Sequence, residues 1–156
     1  MTQRTDDTPQ THRLIESRDD LLSVFAKGEK PEERWRIGTE HEKFVYRTAD
    51  HRAPSYDEPG GIRDLLQGLT EFGWKPVIEN GNAIALSGPD GTISLEPAGQ
   101  FELSGAALEN LHQTCAEAGR HLNQCKAVGE KLGIGFLGVG MWPDKARTDL
   151  PVMPKG

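Results

Sequence analysis

Apolar residues recur along this chain in two rhythms, and the alternation between them maps its elements. Ile62, Leu65, Leu66, Leu69 and Phe72 keep the three-four spacing of one helical face, which predicts a helix over about 62–72. Ser17 can cap an earlier helix running to about Lys27, with Leu21, Leu22 and Phe25 on one side and Gly28 and Pro31 ending it. The longest helix is expected from about Ala107 to Leu132 after a Ser104 cap. Its stripe of Leu108, Leu111, Cys115, Ala118, Leu122, Cys125 and Leu132 is expected to be buried, and Gly133 closes it.

Between the helices the period drops to two. A strand is expected from about Trp35 to Arg47, followed by a loop from Ala49 to Gly61 marked by Pro54, Pro59 and paired glycines. From Lys75 to Ser104 the pattern predicts a meander of short strands. Val77-Ile78 stops at Asn80-Gly81-Asn82, Ala83–Ser87 at Gly88-Pro89-Asp90-Gly91, and Thr92–Glu96 breaks at Pro97-Ala98-Gly99 before Gln100–Leu103. Such close turns imply antiparallel pairing. The glycine-rich run 134–140 predicts a last strand, approached closely by a ligand or a neighbour. The class is α+β, an antiparallel β-sheet with helices packed on it. Residues 1–16 are polar and aperiodic and are expected to form a flexible tail, with residues 17–156 as the folded part.

Composition narrows the chemistry. The 156 residues suffice for one domain, and 18 Lys and Arg against 24 Asp and Glu give a net charge of -6, which argues against nucleic acid as a partner. No apolar run approaches the roughly 20 residues that span a bilayer, and the N-terminus shows no signal core, so no membrane partner and a cytoplasmic location are expected. Cys115 and Cys125 fall on one predicted helix about 15 Å apart along its axis, too far to bridge. Both are expected to be small buried apolar residues.

The acids are unevenly placed. From Pro76 to Gly119 no Lys or Arg occurs, yet Glu79, Asp90, Glu96, Glu102, Glu109 and Glu117 do; Glu109 and Glu117 read most simply as exposed helix residues. Glu40 and Glu42 share a strand face with Phe44 and Tyr46, and a face mixing carboxylates with aromatics suits a cleft wall better than open surface. Carboxylates this close need a positive group between them, and hard divalent cations such as Mg²⁺ prefer oxygen ligands. Glu96, Gln100 and Glu102 share parity in the second run. An extended chain would separate Glu96 from Glu102 by about 20 Å, so one site requires Pro97-Ala98-Gly99 to bend the chain, or several ions must spread along the cleft. The alternative is an edge strand with ordinary exposed polar residues. Gln100 offers a neutral donor and acceptor for a polar substrate. The five histidines form no ligand set: His41 points away from Glu40 and Glu42, and His112 and His121 read as helix-surface residues.

Several runs in fixed order resemble glutamate–cysteine ligase of the type shared by plants and many proteobacteria. They are Ile37–Phe44, Ser94–Gly105, Leu111–Glu117, Gly133–Gly138 and Met153–Gly156, so the resemblance covers the chain from about Trp35 onward. It implies an ATP-dependent carboxylate–amine ligase built on a glutamine-synthetase-like barrel. Such an enzyme phosphorylates the γ-carboxylate of L-glutamate, and the L-cysteine amine then attacks the γ-glutamyl phosphate in the first step of glutathione biosynthesis. By the same resemblance Glu40, Glu42, Glu96 and Glu102 are Mg²⁺ ligands and Gln100 lines the substrate cleft. Family members run to several hundred residues, so the chain is expected to be the N-terminal part of an incomplete catalytic domain, inactive alone, within an enzyme that can form a homodimer. Two other readings remain: a ligase joining glutamate to another amine, or an inactive truncated domain serving as a binding or assembly module.

Overall fold

A computed structural model describes residues 14–89 and 91–154. Most of the expected tail, residues 1–13, lies outside the described residues, and Leu14–Glu16 are exposed without regular structure. The chain divides into a unit ending at Trp35 and a unit from Arg36 onward.

In the first unit, helix α1 spans Arg18–Gly28 where the sequence predicts it, and Ser17 caps it by accepting from the Asp20 amide. Its apolar stripe is not buried: Leu21, Leu22 and Phe25 are exposed, and no residue of α1 is in a core. A three-four rhythm specifies a face, and what covers that face is a separate matter.

In the second unit a six-stranded sheet runs β2-β3-β4-β5-β1-β6 with every pairing antiparallel. Strand β1 is Glu40–Arg47, β2 Lys75–Glu79, β3 Asn82–Gly88, β4 Gly91–Leu95, β5 Phe101–Ser104 and β6 Ile134–Leu137. The sheet is open, with β2 and β6 at its edges. β1 begins five residues later than the sequence suggests, because the chain before it makes only an isolated bridge, Ile37 to Leu108. Asn80 and Gly81 adopt left-handed φ at the β2–β3 hairpin, the conformation a two-residue turn between twisted strands requires.

One sheet face carries the core. Leu86, Ile93, Leu95, Phe101 and Leu103 lie side by side on it, covered by Ile62, Leu65, Leu66 and Leu69 of helix α2 (Ile62–Leu69) and by Cys125 and Val128 of helix α3 (Leu111–Leu132). α2 and α3 approach so closely at Gly68 that a Cβ there would fall 2.6 Å from Val128 Cγ1. The α2 stripe is confirmed to Leu69. Phe72 falls on a 3-10 turn and is exposed.

α3 departs most from expectation. It starts at Leu111, where Asn110, in extended conformation, caps it by accepting from the Gln113 amide, while the Ala106 amide upstream donates to the Glu117 carboxylate. Its buried face is Glu117, His121, Cys125, Val128 and Gly129, whereas Leu111, Cys115 and Leu122 are exposed. Glu117, expected on the surface, is buried, and so is His121.

The loop after β1 is held by ions. Arg47 Nε and Nη2 donate to Glu58 Oε1 at 2.9 and 2.6 Å, and Arg52 Nη1 donates to Glu58 Oε2 at 2.9 Å. Burial alone would raise the Glu58 carboxyl, but hydrogen bonds and charge from Arg52 and Arg47 outweigh it and pull it down to about 2. A group with a depressed folded pKa stabilises above its unfolded value and loses that contribution as pH falls through the folded one. Glu58→Gln should therefore cost about 1–2 kcal/mol at pH 7, with the deficit shrinking between pH 4.5 and 2. Urea midpoints of both proteins across that range check it; parallel curves would assign Glu58 no ionic role.

Candidate functional site

β1 sorts its residues by parity. His41, Lys43 and Val45 face the helices; Glu40, Glu42, Phe44 and Tyr46 face the other way. Register then places Glu42 directly opposite Glu102 and Glu40 opposite Ser104, while Ser94 of β4 flanks Glu102 on its far side. Directly opposed like charges destabilise a sheet unless something compensates them. Here neutral donors engage both: Gln100 Nε2 donates to Glu42 Oε2 at 2.8 Å, and Ser104 Oγ donates to Glu102 Oε1 at 2.9 Å.

The bend at Pro97-Ala98-Gly99 is real. The three residues form a 3-10 turn with Ala98 and Gly99 at φ 62 and 76, and the Glu96 amide donates to the Gln100 carbonyl at 2.7 Å. The hairpin thus folds Glu96 back beside Gln100 rather than leaving it a full strand-length away. Even so, Glu96 lines a separate recess of about 540 Å³ with Pro97, Arg147 and Met153. Glu40, His41 and Glu42 line a shallow one of about 370 Å³ with Gly138–Gly140. The structure brings Glu42, Glu102 and Gln100 together, puts Glu40 one two-residue step along β1, and leaves Glu96 at the hairpin end. Among the described residues no three His, Cys, Asp or Glu side chains converge as a metal cage. The donor set still fits Mg²⁺, which commonly takes one or two carboxylates and completes its shell with water and substrate phosphates.

Beneath the acids, on the helix side, lies a group that sequence reasoning passed over. Lys43 is 1% exposed, its ammonium donating to the His41 carbonyl at 3.0 Å and lying 3.3 Å from His41 Nδ1 and 5.5 Å from the Phe101 ring centre. Burial lowers it to about 8, with Cys125 and Glu102 pulling the other way. The His121 ring stacks on Phe101 at 6.0 Å, and Cys125 Sγ sits 3.5 Å from His121 Nε2. Burial, then the charges of Lys43 and His41, lower His121 to about 3; burial pushes the Cys125 thiol up to about 12. Cys125 is buried as expected, but inert as a thiol at neutral pH. The signals were present in the parity of His41 with Lys43 and in the His121–Cys125 spacing of one helical turn.

The glycine-rich β6 owes its composition to a neighbour. Gly135 pairs with Tyr46, and a Cβ on it would fall 2.3 Å from the Tyr46 ring. Phe44 packs edge-on against Trp142 at 5.4 Å, confirming that this face is walled by aromatics beyond the acids.

Residues 36–156 match the family described as Glutamate-cysteine ligase family 2 (GCS2). The chain is 55% identical over 155 residues to the rice protein "Glutamate--cysteine ligase B, chloroplastic" (Oryza sativa subsp. japonica), covering 96% of this chain and 31% of that protein. It is 52% identical over 141 residues to "Glutamate--cysteine ligase, chloroplastic" from Medicago truncatula, covering 90% and 27%, and to the Arabidopsis thaliana protein of the same name, covering 90% and 26%. The chain thus spans about a third or less of the length of these relatives. All three are named chloroplastic, which overturns the cytoplasmic placement expected from composition.

Proposed function

The chain belongs to glutamate–cysteine ligase family 2, and from that premise we propose that it supplies the metal–nucleotide side of a glutamate–cysteine ligase site. The reaction joins the γ-carboxylate of L-glutamate to the amine of L-cysteine at the expense of ATP, through γ-glutamyl phosphate, as the first step of glutathione biosynthesis. The open sheet is read as part of a glutamine-synthetase-like barrel, with β2 and β6 as the edges to which further strands would add.

The observation that carries this reading is the opposition of Glu42 and Glu102 across β1 and β5, with neutral donors from Gln100 and Ser104. Transfer of a phosphoryl group to a carboxylate brings two anions together, and a bound Mg²⁺ would neutralise phosphate charge and align the attack. Glu42 and Glu102 would hold it, with Glu40 and Glu96 as further carboxylate ligands along the same face. Gln100, whose amide already fixes one Glu42 oxygen, would orient Glu42 and offer its remaining polar atoms to a substrate.

Glu42→Gln removes one charge without changing side-chain volume. It is expected to weaken binding of Mg²⁺ with a non-hydrolysable ATP analogue on the order of tenfold, with the circular dichroism spectrum unchanged, as read by isothermal titration. An affinity equal to that of the unsubstituted protein would remove Glu42 from the metal site.

A further inference from the structure

We propose that a small recess between helix α3 and the turn into β2 binds a small cation bearing N–H groups, ammonium or a primary alkylammonium, through the Glu117 carboxylate. The recess lies on the helix side of the sheet, away from the acidic face, and the proposal stands independently of the metal reading.

The recess encloses about 100 Å³ and is lined by Phe72 and Trp74 from the turn, Leu103 of β5, and Glu117, His121 and Gln124 of α3. The three α3 residues follow one another at helical spacing, so they share one face. The walls are fixed by structure. The Trp74 indole N–H donates to Gln124 Oε1 at 2.9 Å, and the Trp74 ring lies over Gly88, where a Cβ would fall 2.7 Å from it. Gly105 leaves room for the carboxylate, because a Cβ there would collide with Glu117 Oε2.

Glu117 is the group that requires an occupant. It is 5% exposed; Oε1 accepts from the Ala106 amide at 2.8 Å, while the buried Oε2 has no hydrogen-bond partner among the described residues. A carboxylate out of water with one amide as its donor leaves its charge unanswered, and folded proteins answer such charges by pairing them. Neither cation at hand does so. Arg120 lines the recess but is exposed and makes no hydrogen bond to Oε2. The buried Lys43 ammonium donates instead to the His41 and Phe101 carbonyls.

The rest of the lining selects the kind of cation. Hard metal ions gather about six oxygen ligands or more, and among the described residues no three His, Cys, Asp or Glu side chains converge to begin such a shell. The recess offers instead a few acceptors and ring faces. Beside Oε2 stand Gln124 Oε1, with a second lone pair, and the His121 imidazole, which burial, Lys43 and His41 lower to about 3 and so keep uncharged at neutral pH. The N–H groups of an ammonium match these acceptors, and its charge suits the faces of Phe72 and Trp74.

Methylammonium and tetramethylammonium chlorides, titrated at constant ionic strength, test the site, since both carry the same charge and only the first has N–H groups. Methylammonium is expected to bind in the millimolar range, to raise the thermal midpoint as a ligand of the folded state does, and to show a nuclear Overhauser effect from its methyl protons to the Trp74 indole. Tetramethylammonium should do none of these. Glu117→Gln keeps the oxygen that serves the Ala106 amide and removes the charge, so it should weaken methylammonium on the order of tenfold. If Glu117→Gln does not fold, the contrast between the two cations and the contact to Trp74 decide on the unsubstituted protein. Equal responses to both cations, an unchanged affinity in Glu117→Gln, or no response to methylammonium overturns the site, and the last assigns the recess to ordered water. None of these results bears on Mg²⁺ at Glu42.

Discussion

Phe101→Ala is expected to destabilise the protein by about 3–5 kcal/mol, a large share of the 5–15 kcal/mol that holds a typical domain together. Phe101 is fully buried in β5, its ring stacked 6.0 Å from His121, 6.2 Å from Phe136 and beneath the Lys43 ammonium. Truncation opens a cavity bounded by strands on one side and a helix on the other, neither free to collapse into it. It also removes the ring face that offsets part of the cost of burying Lys43. Urea denaturation should show a lower midpoint with an unchanged slope. A matched control is Val77→Ala on the exposed edge strand β2, expected to shift stability by no more than about 0.5 kcal/mol. A Phe101→Ala loss below about 1 kcal/mol would mean the core is not packed around this ring. The effect reaches the site as well, because Gln100 and Glu102 flank Phe101 and point to the opposite face only while β5 keeps its register.

The sheet was legible because its signals are local. Parity in Glu40–Tyr46 and Glu96–Leu103, and the turn residues at Asn80-Gly81 and Pro97-Ala98-Gly99, fix faces and reversals within a few residues of themselves. Close turns forced antiparallel pairing, and pairing set Glu42 against Glu102. The α3 stripe failed for the complementary reason. Leu111, Leu122 and Cys115 have the composition of a core, and Glu117 and His121 that of a surface, yet tertiary packing chose the second set. The Glu117 carboxylate is drawn in by the free Ala106 amide, and His121 by the flat face of Phe101. Neither partner adjoins it in sequence. Proximity of Glu96 to Gln100 was open in the sequence for a similar reason: composition marks a break, and only φ at Ala98 and Gly99 decides whether the break reverses the chain.

Burying these groups makes stability depend on pH in a direction that can be worked out. His121 titrates near 3 in the folded protein against an ordinary 6.5, so between those values the unfolded chain binds a proton that the folded one does not. Stability therefore rises with pH across that window and falls on acidification, by up to about 1.4 kcal/mol per pH unit for one site. Summed from pH 6.5 down to 4, the loss is on the order of 3 kcal/mol. Burial is the first cause of this shift, followed by the charges of Lys43 and His41 from β1; Phe101 of β5, stacked on the ring, contributes no charge. The folded state resists protonation of His121 chiefly because the charged ring would be buried, and a second cation beside Lys43 adds to that cost. His121→Gln keeps a polar side chain of similar reach and removes the titration. Its stability should be lower than the parent's at pH 7.5 because the ring contact with Phe101 is lost, but it should decline less steeply toward pH 4, so that the two curves converge. Denaturation midpoints at half-unit intervals from pH 7.5 to 4 measure both slopes. If the His121→Gln curve falls as steeply as the parent's, the acid sensitivity lies with other groups, and the buried imidazole carries none of it.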